Sequence, residues 1–257
     1  MAFITSAQNP LLQDVRQAIR RGTLTEDGFC VAEGPHLLAE ALRSNCRIDA
    51  VIAVEEAEPN LPSVVRTITV PQNLFRTVSS TETSQGVIAL VQPPRWTLEN
   101  VFSGIPLVLV LDGVQDPGNA GTMLRAAEAF AASGVLFLKG SVNPYNPKAV
   151  RASAGSLFRI PFLAGLEESA FLEAIRLRNL PLYAALARPE RAAADCDFRE
   201  AAVLVVGSEA RGVSLAIQAR AAAVNIPTAG VESLNAGIAA AILLYEARRQ
   251  RTDRRVP

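Results

Sequence analysis

The stretch PLVLVLDGVQDPGNAGTMLRAAEAFAASGVLFL, residues 106–138, decides the fold of this chain. It begins with a continuous apolar run at 106–111, passes through a loop rich in glycine, asparagine and proline, and ends in a second apolar run at 135–138. Small and apolar residues between the two runs predict a helix at about 122–132, with Thr122 as its cap. A strand, a helix and a second strand in this order indicate a parallel sheet, which binds ligands at the carboxyl ends of its strands.

The same alternation continues on both sides of that stretch. Asn9 and Pro10 are expected to open a helix near the start of the chain. A last helix is expected at about 233–249, with Ser233 as its cap. The pattern predicts an α/β chain with a mostly parallel sheet and helices on both faces. The further predicted strands are residues 29–32, 48–54, 86–91, 182–186, 203–206 and 222–226.

Consecutive prolines in the segment QPPRW, residues 92–96, mark a boundary, because proline cannot continue a sheet ladder. We therefore expect a smaller α/β domain at 1–92, a linker at 93–104 and a second domain at 105–257. Neither domain is strongly basic, since residues 1–100 carry 8 Lys/Arg and 11 Asp/Glu side chains. A nucleic-acid surface would then have to be a local patch.

The composition excludes several classes of protein. The 257 residues carry 25 basic and 25 acidic side chains, which argues against a polyelectrolyte or a basic coat protein. The three cysteines are too scattered for a disulfide framework or a zinc cluster. His36 is the only histidine, which removes most triad and multi-histidine metal chemistry. No secretion signal or membrane span is evident, so the sequence favours a cytoplasmic protein without a membrane partner.

The first candidate loop, residues 111–130, follows the strand at 106–111. Its glycines would allow close backbone approach, and Arg125 beside a helix N-terminus would hold an anion or a polarised oxygen. The ordinary alternative is an ion pair between Arg125 and Glu128, three residues later.

Two further loops carry candidate polar groups. Gly207 follows a core strand directly, so a ligand or another backbone is expected to approach it. Glu209 could then accept hydrogen bonds from ribose hydroxyls or from loop amides. Ser233 and Asn235 are polar groups at the start of the last helix, where capping is the alternative to ligand contact.

A dinucleotide site is the obvious competitor for these loops. The spacing of the glycines in the first loop does not fit a dinucleotide fingerprint. In addition, Lys139 and Gly140 follow the second strand, where a dinucleotide site would have a ribose-binding acid. The sequence also lacks the phosphate-loop lysine motif. A nicotinamide-dependent oxidoreductase is therefore disfavoured.

Taken in order, these residues resemble the three-motif signature of the SpoU/TrmH family of RNA 2′-O-ribose methyltransferases, in the SPOUT superfamily. The signature consists of Asn119 and Arg125, then GSEARG at 207–212, then Ile226-Pro227 followed by Ser233-Leu234-Asn235. The segment NPYNPKAVRASAGSLFRIPF, residues 143–162, is also typical. The first half resembles the family's substrate-binding domain through Ser6, Asn9 and Pro10, the segment VAEG at 31–34, and TSQG at 83–86. Ala236-Gly237 is a departure, because Val-Ser is more frequent there.

The resemblance implies a deep trefoil knot in the second domain, a rare exception to unknotted chain topology. It also implies an obligate homodimer and S-adenosylmethionine as methyl donor, with S-adenosylhomocysteine as product and without a metal. Arg125 would be the main catalytic residue, assisted by Asn119, Glu209, Ser233 and Asn235. The residues that would hold the cofactor are Leu111, Gly207, Ser208, Glu209, Gly212, Ile226, Pro227, Ser233, Leu234 and Asn235.

Arg125 is often given the role of general base in this family, which a side chain with a pKa above about 12 fills poorly. Our hypothesis is that it holds the ribose hydroxyl and an adjacent phosphate. The candidate RNA-binding residues are Arg16, Arg20, Arg21 and Arg151, with the arginine-rich C-terminal tail at 248–255 as a second patch. Ribosomal RNA is favoured as the substrate. The alternatives are a tRNA 2′-O-methyltransferase, a base-nitrogen methyltransferase of the same superfamily, and a catalytically silent RNA-binding or assembly factor.

Overall fold

The computed structural model describes residues 2–57, 61–63, 65–187 and 191–252. Packing divides the chain into two compact units. The first unit contains residues 1–95 together with 144–159, and the second contains 96–143 together with 160–257.

The first unit is built on a five-stranded mixed sheet in the order β1-β4-β3-β5-β2. Strands β1, β4 and β3 are parallel, whereas β5 is antiparallel to both β3 and β2. Leu12 and Val15 pack with Ile52, Phe75 and Ile88 in its core. The strands are β1 (Ala2–Phe3), β2 (Cys30–Glu33), β3 (Ile48–Val54), β4 (Arg66–Val70) and β5 (Val87–Val91), and the helices are α1 (Pro10–Arg21), α2 (Pro35–Arg43) and α3 (Gln72–Phe75).

The start of α1 confirms the sequence prediction. The side chain of Asn9 accepts a hydrogen bond from the Leu11 amide at 3.0 Å, and Pro10 is the first helical residue. The helix ends at Gly22, whose φ of 66° is in the left-handed region that glycine adopts without strain.

Residues 144–159 belong to the first unit, although in sequence they follow a strand of the second unit, Gly134–Leu138. They contain a seven-residue helix, α6 (Pro147–Ser153), that contacts β2. At the end of this segment, Arg159 donates to Glu40 Oε2 at 2.8 Å and to Ser44 Oγ at 3.1 Å. The segment is thereby hydrogen-bonded to the end of α2.

The second unit is a six-stranded, entirely parallel sheet in the order β11-β9-β10-β6-β7-β8. Phe171 and Ile175 of α7 cover the face that carries Val108 and Val110, while α9 packs on β6 and β10 and α5 packs on β7. The strands are β6 (Leu107–Asp112), β7 (Gly134–Leu138), β8 (Phe162–Leu166), β9 (Leu182–Ala185), β10 (Ala202–Gly207) and β11 (Ala222–Val224), and the helices are α4 (Leu98–Val101), α5 (Pro117–Ala129), α7 (Glu168–Arg178), α8 (Leu215–Gln218) and α9 (Ala236–Thr252). The predicted α/β fold is confirmed.

Two predicted helix starts are wrong. Helix α5 begins at Pro117 rather than Thr122, because the Asp116 side chain accepts a hydrogen bond from the Asn119 amide at 2.7 Å. Arg125 therefore lies in the third turn of α5, away from its N-terminus. Helix α9 begins at Ala236 rather than Ser233, and the side chain of Asn235 provides its cap.

The end of α9 is held by its own arginine. Arg251 donates to the backbone carbonyls of Phe198, Ile105, Pro106 and Glu200. This part of the predicted basic tail therefore joins the beginnings of β6 and β10, while Arg254 and Arg255 lie outside the described residues. No helix within the described ranges is long and apolar enough to span a membrane.

Candidate active site

A cavity of about 530 Å³ opens at the carboxyl ends of β9, β10 and β11 in the second unit. Its wall is formed by three chain segments that follow these strands and by the first turns of α9. The lining residues are Ala185, Leu186, Ala187, Val206, Gly207, Ser208, Glu209, Gly212, Val224, Ile226, Thr228, Glu232, Ser233, Leu234, Asn235, Ala236, Ala239 and Leu243.

The segment after β10 is a tight turn whose shape requires glycine at 207. A Cβ on Gly207 would lie 2.0 Å from the Gly212 carbonyl carbon and 2.2 Å from the Val213 amide nitrogen. The turn is closed by a hydrogen bond from the Gly212 amide to the Ser208 carbonyl at 2.8 Å. Of the two predicted reasons for a glycine here, the structure shows the approach of another backbone.

Three polar side chains from distant segments form one hydrogen-bonded chain beside this cavity. Asn119 Nδ2 donates to Glu209 Oε1 at 2.5 Å, and Asn235 Nδ2 donates to Asn119 Oδ1 at 3.0 Å. Asn235 Oδ1 in turn accepts from the amides of Gly237 at 2.9 Å and Ile238 at 3.2 Å. The loop after β10, the first turn of α5 and the start of α9 are thus joined.

The direction of each hydrogen bond in this chain follows from its two ends. An ionised carboxylate only accepts hydrogen bonds, and the backbone amides of α9 only donate. Asn119 must therefore turn its amide nitrogen toward Glu209, and Asn235 must turn its oxygen toward the helix. The chain places a carboxylate at the rim of the cavity with one of its oxygens already hydrogen-bonded.

Arg125 is exposed on α5 and forms no hydrogen bond or ion pair with another described residue. The alternative that Arg125 pairs with Glu128 is therefore not what the described structure shows. An unpaired guanidinium keeps its fork of donors available for a phosphate or a polarised oxygen.

The cavity brings together eight of the ten residues predicted to hold the cofactor. Leu111 is fully buried in β6 and Pro227 is exposed, and neither lines the cavity. Ser233 lines the cavity but does not cap α9, since Asn235 fills that position.

The sequence interpretation missed the segment 185–187, which lines the cavity at the end of β9. The signal was available, because the predicted strand at 182–186 belongs to a parallel sheet, and such sheets bind ligands at the carboxyl ends of their strands. Thr228 and Glu232, in the loop that follows β11, were missed as well.

The four predicted RNA-binding arginines all belong to the first unit. Arg20 and Arg21 are exposed at the end of α1. Arg16 donates to the Thr77 carbonyl and hydroxyl at 3.3 Å, and Arg151 donates to Ser80 Oγ at 2.5 Å. Arg16 thus also connects α1 to the segment after α3.

An apolar surface lies next to Asn119 and Asn235, on the outer side of α5 and α9. It surrounds a hollow of about 500 Å³ and includes Ile238 and Tyr245, each 53% exposed. Tyr245 contacts Phe130 edge-to-face, with ring centroids 5.8 Å apart. Large exposed apolar patches of this kind are typical of interaction surfaces.

Small and apolar side chains form most of the cavity wall, and its polar groups include the hydroxyl groups of Ser208, Thr228 and Ser233 and the carboxylates of Glu209 and Glu232. Within the described ranges, no group of three or more histidine, cysteine or acidic side chains is arranged as a metal site. The cavity size is in the range of small-molecule pockets, about 300–1,000 Å³.

The cavity and the hydrogen-bonded side chains beside it lie within residues 106–245, which match the family model described as SpoU rRNA methylase. The chain belongs to the SpoU rRNA methylase family. A second model, described as an MRM3-like substrate binding domain, matches residues 9–89. The two matched ranges lie on either side of the predicted linker.

Individual relatives resemble the chain over nearly its whole length. It is 33% identical to an uncharacterised tRNA/rRNA methyltransferase of Synechocystis sp., over 97% of this chain and 94% of that one. It is 29% identical to the 23S rRNA (guanosine(2553)-2′-O)-methyltransferase RlmP of Bacillus subtilis, over 96% of this chain and 100% of that one. Among solved structures, the SpoU methyltransferase AviRb of Streptomyces viridochromogenes in complex with AdoMet superposes with a TM-score of 0.84, at 26% identity, over 95% of this chain and 99% of that one.

Proposed function

We propose that this protein transfers the methyl group of S-adenosylmethionine to a ribose 2′-hydroxyl of ribosomal RNA. The observation that carries the proposal is the cavity at the ends of β9, β10 and β11, beside the hydrogen-bonded chain of Glu209, Asn119 and Asn235. Ribosomal RNA is proposed over tRNA because RlmP is named as a 23S rRNA methyltransferase.

The cavity residues fit S-adenosylmethionine in chemistry as well as in size. The segments 185–187 and 207–212 and the loop after β11 offer backbone groups and small side chains. Gly207, Ser208, Gly212, Ile226, Ser233, Leu234 and Asn235 are the proposed contacts, together with Leu111 and Pro227 as neighbours in the supporting segments. When bound, the sulfonium supplies an activated methyl group that needs no metal.

The protein's own residues would position the acceptor. Arg125, unpaired on α5, would hold the ribose hydroxyl and an adjacent phosphate through its planar fork. That contact lowers the free energy of an alkoxide at the 2′-oxygen, and the proton leaves to phosphate or water. Glu209, fixed by Asn119, would orient the reactants at the rim, and Asn235 would hold the start of α9 in register. Arg16, Arg20, Arg21 and Arg151 would contact RNA backbone in the first unit.

The proposal includes two features of the family that concern the whole assembly. The first is a trefoil knot formed by the C-terminal segments. The second is a homodimer through the apolar surface of α5 and α9, where Ile238, Ile242 and Tyr245 would be covered by a second copy. Because ribosomal RNA is the proposed substrate, the cytoplasm is the compartment in which the protein would act.

The deciding experiment compares 2′-O-methylation across total RNA from a deletion strain and its parent. Loss of one ribosomal RNA modification, restored by the purified protein with S-adenosylmethionine, is the expected result. Loss of a tRNA modification instead would show that tRNA, not ribosomal RNA, is the substrate. A protein that binds RNA but neither binds S-adenosylmethionine nor transfers a methyl group would be a silent assembly factor, and this result would reject the proposal.

A further inference from the structure

A carboxylate in the first unit is buried without a directly bonded cation. Glu33, the last residue of β2, is only 7% exposed. Its two oxygens accept hydrogen bonds from hydroxyl groups of one loop, at 2.5 to 3.0 Å, and from one backbone amide at 2.8 Å. The hydroxyl donors are Ser79, Ser80, Thr81 and Ser84, and the amide is that of Ser80.

So many donors on one buried group indicate a fixed loop. Burial alone would raise the pKa of Glu33, but the hydrogen bonds from Ser79, Ser80 and Thr81 outweigh it and lower the pKa. The carboxylate therefore stays charged at neutral pH, and it holds loop 79–84 against the end of β2.

Ser80 connects this carboxylate to a guanidinium. Its hydroxyl donates to Glu33 Oε2 at 2.5 Å and accepts from Arg151 Nη1 at 2.5 Å. Both directions are fixed, because a guanidinium has no acceptor and an ionised carboxylate has no donor. The Glu33 carboxylate thus orients the Arg151 side chain indirectly, through the Ser80 hydroxyl.

The rest of the Arg151 guanidinium remains available. Its Nε and Nη2 form no hydrogen bond with any other described residue, and the side chain is partly exposed. A guanidinium with two parallel donors free and a third one tethered matches the geometry of a phosphate. The neighbouring loop adds hydroxyl groups and the exposed side chains of Thr83 and Gln85.

We infer that Glu33 and Ser80 are positioning residues that hold Arg151 ready to bind a backbone phosphate of the RNA substrate. This inference rests on the proposed function, since it names the group that would contact the RNA in the first unit. The charge of Glu33 opposes RNA binding little, because the carboxylate is enclosed by its five donors. Arg151 carries the positive charge at this place, and the exposed Glu82 of the same loop carries a negative one.

The test measures RNA affinity in the full-length protein with unmodified 23S rRNA, transcribed in vitro, as the probe. The variants are Arg151→Ala, Ser80→Ala, Glu33→Gln and the Ser80→Ala/Arg151→Ala double variant. Ser84→Ala is the matched control, because it also removes one hydroxyl from Glu33 but leaves the contact between Ser80 and Arg151. Thermal melting and S-adenosylmethionine affinity are measured for every variant.

We expect Arg151→Ala to weaken RNA binding about tenfold, as for one charged hydrogen-bonded contact. It should also reduce the salt dependence of binding by about one unit in the log–log slope. Ser80→Ala and Glu33→Gln should each weaken binding about threefold. The double variant should bind no worse than Arg151→Ala alone, because Ser80 acts only through Arg151. The losses should raise the KM for RNA rather than lower kcat.

Two results would overturn the inference while leaving the proposed function intact. One is an Arg151→Ala protein with a lower melting temperature but an unchanged RNA affinity and salt dependence of binding. The contact between Arg151 and Ser80 would then only stabilise the fold. The other is additive losses in the double variant. Failure of the parent protein to bind S-adenosylmethionine or to transfer a methyl group would instead reject the proposed function.

Discussion

Asn119 and Glu209 are 90 residues apart in sequence, yet the amide nitrogen of Asn119 donates to a Glu209 carboxylate oxygen at 2.5 Å. The same Asn119 accepts from Asn235 through its other amide atom. One asparagine therefore connects the segments of Glu209 and Asn235, both of which line the cavity.

Replacing Asn119 by alanine should remove both hydrogen bonds and leave Glu209 without its orienting donor. We expect kcat to fall by at least about tenfold, the equivalent of about 1.4 kcal/mol. Asn119→Asp should be more harmful at neutral pH, because two carboxylates would face each other at hydrogen-bond distance. Initial rates with ribosomal RNA test both variants, and full activity of Asn119→Ala would show that the contact is not used in the reaction.

Gly207→Ala should distort the cavity at the carboxyl ends of β9, β10 and β11, since the new Cβ would lie 2.0 Å from a carbonyl carbon. The turn must shift, at a cost of about 1–3 kcal/mol, and calorimetric binding of S-adenosylmethionine should be weakened strongly. Ala210→Ser in the same exposed turn is the control and should behave as the parent. Parental binding and melting of Gly207→Ala would contradict the geometry of the turn.

Arg125→Lys should keep the charge but lose the planar fork. We expect turnover to fall about tenfold or more, because one ammonium cannot hold a hydroxyl and a phosphate in the same geometry. Arg176→Lys, on an exposed arginine paired with Glu173, is the matched control. Nearly full turnover of Arg125→Lys, with unchanged RNA affinity, would refute the need for a fork.

Glu33→Gln should make stability less dependent on pH. The lowered pKa of Glu33 means that its contribution to stability is fully present above its unfolded-state pKa and is lost as pH falls through the lower folded-state pKa. At pH 7 the variant should be about 2 kcal/mol less stable, by the loss of charged hydrogen bonds. Denaturant unfolding from pH 7 to pH 3 measures the difference, which should shrink at the acid end; a constant difference would argue that Glu33 is not charged in the folded protein.

Arg251→Ala should destabilise the second unit, because its guanidinium donates to four backbone carbonyls near the beginnings of β6 and β10. We expect a loss of about 2–3 kcal/mol and a lower melting temperature. Arg248→Ala is the control, since its exposed side chain forms no hydrogen bond or ion pair with the described residues. Equal melting of the two variants would leave the Arg251 contacts without a role in stability.

The sequence predicted most of the core strands, because these depend on local pattern. Residues 48–54 are a strand in both prediction and structure, and Ala50–Val54 are buried. Helix starts were harder to predict, since Ser233 and Asn235 are both good caps and only the contact with Asn119 selects Asn235. Capping residues likewise occur at Asp116 and at Thr122, and the structure shows that Asp116 is the cap.

Long-range placement was beyond local pattern. Strands β4 and β8 and helix α7 are among the elements that were missed, and nothing in the sequence of α6 shows that it packs on β2. The predicted strand ends at residue 32, and Glu33 enters the sequence analysis only as part of the segment VAEG. The hydroxyl-rich run 79–84 was the available signal for its partners, but their meeting depends on the pairing of β2 with β5.

The placement of residues 144–159 has a consequence for biosynthesis. The strands of the first unit leave the ribosome well before helix α6, which contacts β2, has been translated. At about 5–20 residues per second, the interval between residues 95 and 159 lasts on the order of 3 to 13 s. During that interval β2 lacks its contact with α6, which is translated only after β6, α5 and β7.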